Sequence, residues 1–148
     1  MLCYYEIMMK LKVLKLDPRA KLPAYAHVGD AGLDFFALEK TIIEPGEYLA
    51  VKTGVSVEIP QGYVGLFWDK SGLSIKHGLK LLGGVIDAGY RGEILIGIIN
   101  LSKTEYILEA GHKVAQMLIQ KVEFMEIAEV QELADSSRGD KGFGSTGK

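Results

Sequence analysis

The sequence predicts an all-β protein, a β-sandwich or distorted jelly roll, on three observations. Short runs rich in Val, Ile, Tyr and Phe follow one another closely, turn signals separate them, and apolar residues alternate with polar ones along several. In "IEPGEYLAVKTGVSVEIPQGYVGLFW", Pro45-Gly46, Gly54 and Pro60-Gln61-Gly62 punctuate three such runs. The chain carries no internal repeat and no low-complexity tract apart from its Gly-rich tail, so many short strands closing on one another is the economical architecture.

Each element follows from local pattern. The opening "MLCYYEIMMK" lacks the basic start and long apolar run of a signal peptide or membrane span, and reads as an extended edge segment. Met9, Leu11 and Val13 alternate with Lys10 and Lys12, and Val55, Val57 and Ile59 with Ser56 and Glu58; both predict strands. Ser71 to Gly78 has room for a turn or two of helix. "RGEILIGIINL" is almost continuously apolar and predicts a strand buried on both faces. "HKVAQMLIQKVEF" predicts another strand. In "MEIAEVQELA" the spacing of Ile127, Val130 and Leu133 suits a helix and the composition suits a strand; we assign a strand. Residues 1–133 then form the folded domain and 134–148 a flexible Gly-rich lid.

Composition narrows the functional classes. A chain of 148 residues is one domain by size. Cys3 is the only cysteine, which excludes an intramolecular disulfide and suggests a reducing cytoplasm. A net charge of −2 gives no broad basic field, so neither nucleic acid nor a membrane is expected as a partner. His27, His77 and His112 have no metal-ligand spacing.

Four Gly-bounded stretches break the alternation and carry charge. In "AGLDFFA", Asp34 interrupts an apolar run; a lone Asp after Gly most often caps its own turn. In "WDKSGLS", the Lys70 ammonium, the Ser71 hydroxyl and the amides around Gly72 suit a phosphate, while a polar turn leading into a helix explains the same residues about as well. "GGVIDAGYRGE" is the most informative. Asp87 is expected at the end of a buried strand and the mouth of a hairpin, where a carboxylate can orient a water; Tyr90 can lie against a sugar, and Gly83-Gly84 leaves backbone open to a flat base. The fourth stretch is the tail, with Arg138, Lys141, Phe143, Ser145 and Thr146 among glycines. Disorder is the default for such a terminus. Ordering it costs about 1 to 2 kcal/mol per residue, which bonds to a phosphate and stacking on a base offset only while ligand is present. Its final "GFGSTGK" imitates part of a phosphate-binding P-loop, but that motif needs a following helix.

Together, "AGLDFFA", "DKSGLS", "GGVIDAGYRGE", "GHKVAQM" and "RGDKGFGSTG" resemble, in order and spacing, the five motifs of the homotrimeric deoxyuridine triphosphatases (dUTPases), from about Leu11 to the C-terminus. The resemblance implies a jelly-roll homotrimer with active sites at subunit interfaces, cleaving dUTP to dUMP and pyrophosphate with Mg²⁺. Such an activity limits uracil incorporation into DNA and supplies dUMP for dTMP synthesis. It implies Asp87 as the base that activates water, and Asp34 as the residue that holds the metal through its water shell. Lys70, Ser71, Gly72 and Gln116 would contact phosphates. Tyr90 would pack on the deoxyribose, and Gly84, Val85, Ile86 and Leu95 would read uracil and exclude thymine's methyl. Arg138, Phe143, Gly144, Ser145 and Thr146 would close over the nucleotide.

Three positions depart from the family pattern. Lys70 and Lys113 stand where arginine is common, keeping the charge without the bidentate fork. Asp69 adds a negative charge beside the phosphate positions, for which the sequence offers no reason. Two other functions compete: a dCTP deaminase or bifunctional deaminase of the same fold, and a nucleotide-binding regulator of low turnover. Aligned on Asp87 and Asn100, Gly97 falls where the deaminases carry their glutamate, which disfavours deamination.

Overall fold

Proline and glycine set the strand boundaries by fixing the turns. The structure, a computed structural model, describes residues 9–140 and 142. In it Pro45 and Gly46 occupy the centre of a turn closed by the Glu47 N–H donating to the Glu44 carbonyl (3.0 Å). Gly46 takes φ +78°, the left-handed value a type II turn demands at its third position. The turn from Pro60 to Tyr63 repeats the device, with Gly62 at φ +80° and a 3.2 Å closing bond.

Between such turns run β1 (Lys12–Lys15), β2 (Ala24–Tyr25), β3 (Leu33–Phe36), β4 (Thr41–Ile43), β5 (Tyr48–Lys52), β6 (Val55–Glu58) and β7 (Tyr63–Trp68). A helix, α1 (Ser71–His77), interrupts them. β8 (Leu79–Leu82), β9 (Val85–Ile86), β10 (Leu95–Asn100), β11 (Tyr106–Leu108) and β12 (Lys113–Lys121) follow. Every pairing is antiparallel. The largest sheet has the order β2-β3-β12-β7-β9, a second β5-β10-β8, and two-stranded ribbons join β1 to β6 and β11 to β4. The all-β, jelly-roll expectation is borne out. Among the described residues no helix is long and apolar enough to cross a membrane.

The core fills the space between sheets with Phe35, Ile43, Val51, Val57, Ile59, Ile96, Ile98 and Met117, all buried. Phe35 meets Phe67 edge to face, ring centroids 4.9 Å apart, the geometry the ring quadrupoles favour. The helix ends as its sequence dictates. Gly78 adopts φ +68° and its N–H donates to the Ser74 carbonyl, while Lys76 and His77 sit in the last turn, where the helix dipole favours cations.

Five expectations need correction. β10 is buried on one face only: Ile96, Ile98 and Asn100 point into the core, whereas Leu95 is exposed, because this strand is central in a sheet whose other face lies open. "MEIAEVQELA" is neither strand nor helix; no strand of its own chain runs beside it, and its apolar side chains stand clear, Ile127 at 92% exposure. Asp34 caps no turn but lies within β3, fully buried. The strand before Asp87 is only two residues long and half exposed, and no hairpin joins β9 to β10, since β9 pairs with β7 and β10 with β5 and β8. Met9, placed on the apolar side of its alternation, is exposed just before β1.

Candidate functional site

Asp34 is the electrostatic centre of the first group. Alternation along β3 turns it to the face opposite Leu33 and Phe35, yet it is buried there too, where an unpaired carboxylate would be costly. Lys70 Nζ lies 2.6 Å from its Oδ1 and Lys113 Nζ 2.6 Å from its Oδ2. The two ammoniums thus pair one with each carboxylate oxygen. Burial pushes the Asp34 carboxyl up, but the ammoniums of Lys113 and Lys70 outweigh it and hold it below the ordinary carboxylate value.

Gln116 lies opposite both Asp34 and Trp68 in the register of β12. Its Nε2 donates to the Asp69 carbonyl (2.8 Å), and its side chain packs where Gly32 leaves room: a Cβ on Gly32 would collide with Gln116 Oε1. Lys70 precedes α1 in extended conformation, and its carbonyl accepts the Leu73 and Ser74 amides. The first amides of a helix, here those of Ser71 and Gly72, have no intrahelical acceptor. Lys70, Gly72, Leu73, Lys76, His77 and Lys113 line an open cavity of about 330 Å³. An apolar groove of about 370 Å³ lies apart from this group, with Leu11, Val13, Tyr25, Leu33 and Ile119 in its walls.

The second group surrounds Asp87. Gly84, Ile86 and Leu95 line a narrow pocket with Phe67, Leu81 and Gly97, and Val85 beside them is exposed. Gly84 takes φ +124° with its Cβ position 3.1 Å from the Phe67 carbonyl, a close approach open only to glycine. Asp87 opens an exposed turn in which its carbonyl accepts the Tyr90 N–H (3.0 Å). Among the described residues no side chain bonds to the Asp87 carboxylate. The Tyr90 hydroxyl donates to the Glu93 carbonyl (2.9 Å), fixing the ring over Gly92. The segment that follows is anchored to β6 by the Ser56 hydroxyl on the Arg91 carbonyl (2.7 Å) and the Ile94 N–H on the Val55 carbonyl (2.8 Å).

The sequence-predicted residues therefore fall into two groups. Lys70, Ser71, Gly72, Gln116 and Asp34 gather in one; Gly84, Val85, Ile86, Asp87, Tyr90 and Leu95 gather in the other. No described hydrogen bond or ion pair joins Asp87 to Asp34, Lys70 or Lys113 within one chain. Arg138 lies in an exposed turn closed by the Gly139 N–H on Ser136. Phe143, Gly144, Ser145 and Thr146 lie outside the described residues. Sequence reasoning gave Lys113 no role beyond a departure from arginine, and it missed Lys80, whose ammonium neutralises Asp69 at 2.5 Å. Only the pairing of distant segments brings Lys80 there, so no local pattern announces it.

A jelly roll with clustered lysines beside free helix amides and a narrow glycine-lined slot belongs to the class of β proteins suited to a phosphorylated, flat-ringed ligand. Comparison with known proteins narrows the class. The dUTPase family model matches residues 18–147. The deoxyuridine 5'-triphosphate nucleotidohydrolase of Clostridium tetani is 47% identical over 145 residues, covering 97% of this chain and 99% of that protein. That of Thermobifida fusca is 44% identical over 141 residues, 93% of this chain and 79% of the other. The dUTPase of Staphylococcus bacteriophage 80alpha, solved with dUpNHpp, superposes with a TM-score of 0.89 at 35% identity, covering 94% of this chain and 99% of that one. A mutant dUTPase from phage phi11 of S. aureus, described for its coordination of a structural Mg(II) ion, gives 0.79 at 34% identity over 84% and 98%. The chain belongs to the dUTPase family.

Proposed function

We propose that the chain hydrolyses dUTP to dUMP and pyrophosphate at sites completed where copies of the chain meet. Family membership over nearly its whole length supports the reaction. The observation that carries the site is the buried Asp34 carboxylate clasped by Lys70 and Lys113 at a cationic cavity, a place built for a polyanion.

In this reading Asp87, exposed and unencumbered, takes a proton from a water whose oxygen attacks the α-phosphorus; the bond from that phosphorus to the bridging oxygen breaks in line and pyrophosphate departs. Lys70, Ser71, Gly72 and Gln116 hold phosphates. Gly84, Val85, Ile86 and Leu95 read the base, and Tyr90 lies against the deoxyribose. Arg138, Phe143, Gly144, Ser145 and Thr146 close over the bound nucleotide as a lid drawn from residues 134–148. At about 3.3 Å per extended residue that stretch reaches up to roughly 50 Å, enough to cross onto a neighbouring copy.

Asp34 fits magnesium as an outer partner. It offers hard oxygen, but each of its two oxygens already faces an ammonium at 2.6 Å, so it would meet the ion through the ion's water shell, as suits a cation that dehydrates reluctantly and rests chiefly on the triphosphate. When bound, magnesium supplies charge neutralisation along the triphosphate. Homotrimerisation is supported by the two half-sites and by exposed apolar side chains at Phe124, Met125 and Ile127, which suit the apolar groove on another copy. Deamination is disfavoured in space as well as in sequence, because a Cβ at Gly97 would stand 2.8 Å from the Leu82 carbonyl.

The test is product analysis with dUTP, dCTP, dTTP and UTP, with and without magnesium. The proposal expects pyrophosphate and dUMP from dUTP alone. Formation of dUTP from dCTP would make the chain a deaminase, and binding without pyrophosphate release a regulator.

A further inference from the structure

Asp69 follows β7 in the five-stranded sheet, yet its carboxylate reaches the outer edge of β8 in the three-stranded sheet. There Oδ1 accepts the Leu81 N–H (2.8 Å) and Oδ2 the Lys80 ammonium (2.5 Å). Its own carbonyl accepts Gln116 Nε2 (2.8 Å) on the other side. A single residue thus ties a strand edge to the glutamine of the phosphate group.

The two halves of this clamp differ in weight. Lys80 is 55% exposed, and exposed ion pairs add little. A carboxylate accepting a backbone N–H is directional and charge-assisted, and it satisfies an edge that would otherwise be open. Leu81 is also a wall of the narrow pocket that holds Gly84, Ile86 and Leu95. The Phe67 N–H bonded to the Gly84 carbonyl (2.8 Å) draws the opposite wall to the same strand, β7, from which Asp69 extends.

We propose that Asp69 is a positioning residue that fixes the width of the base pocket through the Leu81 backbone, and with it the preference for uracil over thymine, while holding Gln116 in the same frame. This rests on the reading of the pocket as a dUTP site. The extra carboxylate is therefore no burden on phosphate binding: Lys80 pairs with its charge, and its oxygens are engaged by Lys80 and the Leu81 N–H while Lys70 pairs with Asp34.

The experiment compares kcat/KM for dUTP and dTTP in the full-length wild type and in Asp69→Ala, Asp69→Leu, Asp69→Asn and Lys80→Met. Removing the acceptor, in Asp69→Ala or Asp69→Leu, is expected to lower discrimination about tenfold, with a raised KM for dUTP. Asp69→Asn keeps an oxygen for the Leu81 N–H and Lys80→Met keeps the carboxylate, so both are expected to hold discrimination within about threefold of wild type. Unchanged discrimination in Asp69→Ala, or an equal fall in kcat for both substrates, overturns the proposal. So does failure of both acceptor-free variants to fold, which would make Asp69 a stability residue. A wild type that releases no pyrophosphate from dUTP rejects the activity itself; a wild type that prefers dUTP, with a variant that keeps the preference, rejects only this inference.

Discussion

Asp34 shows how a strand interior accommodates a carboxylate. Its burial costs free energy that two lysines offset, and its pKa is set by that contest: burial raises it, Lys113 and Lys70 lower it further. Because the folded-state value lies below the ordinary 3.8, the stabilisation is complete above that pH and is lost as pH falls through the lowered value. Asp34→Asn is expected to cost about 1–3 kcal/mol at neutral pH. That is less than the full cost of breaking a buried pair, because the lysine ends are 26% and 44% exposed. Thermal melts of both proteins from neutral pH into acid check this. The gap should be constant at first and close as Asp34 protonates; a gap that widens in acid would contradict it. In the proposed reaction Asp87 is the base, and its exposed carboxylate supports no part of the fold. Asp87→Asn is expected to keep nucleotide affinity and to lose pyrophosphate release by about 10²- to 10⁴-fold. Equilibrium binding alongside turnover measures both, and unchanged turnover would remove Asp87 as the base.

Elements were legible in the sequence where local chemistry decides them. Pro45-Gly46 and Pro60-Gln61-Gly62 are turns because Gly46 and Gly62 reach positive φ, and α1 stops at Gly78 for the same reason. The Val55, Val57, Ile59 alternation emerges as one buried row. What stayed hidden depends on pairing over distance. Asp34 read locally as a turn residue because nothing in "AGLDFFA" foretells the Lys113 ammonium that reaches it from β12. β10 read as buried on both faces because an apolar run does not say which side another element covers. "MEIAEVQELA" read as a strand, but a strand exists only beside another, and none of its own chain is there. The proposed lid belongs to this scale. Deleting the chain from Arg138 onward is expected to leave melting behaviour and assembly intact and to reduce dUTP turnover severely. Scanning calorimetry and pyrophosphate release check it, and full activity in the truncated chain would end the lid's role.

At the scale of the whole molecule, the proposed site divides into two groups within one chain. Asp87 and the base pocket sit on segments tied to β6 and β7, while Asp34, Lys70 and Lys113 gather at β3, α1 and β12 with no bond to Asp87. A closed assembly of identical copies would supply each half-site with its complement, since every copy presents both surfaces. The measurement that tests this most directly mixes two inactive chains, Asp87→Asn and Lys70→Ala, after subunit exchange. If sites form between copies, some pair an intact Asp87 from one chain with an intact Lys70 from another, and dUTP hydrolysis should return to about a quarter of wild type in a random equal mixture. If one chain held both halves, every site would carry a defect, and a mixture as inactive as its components would contradict the account.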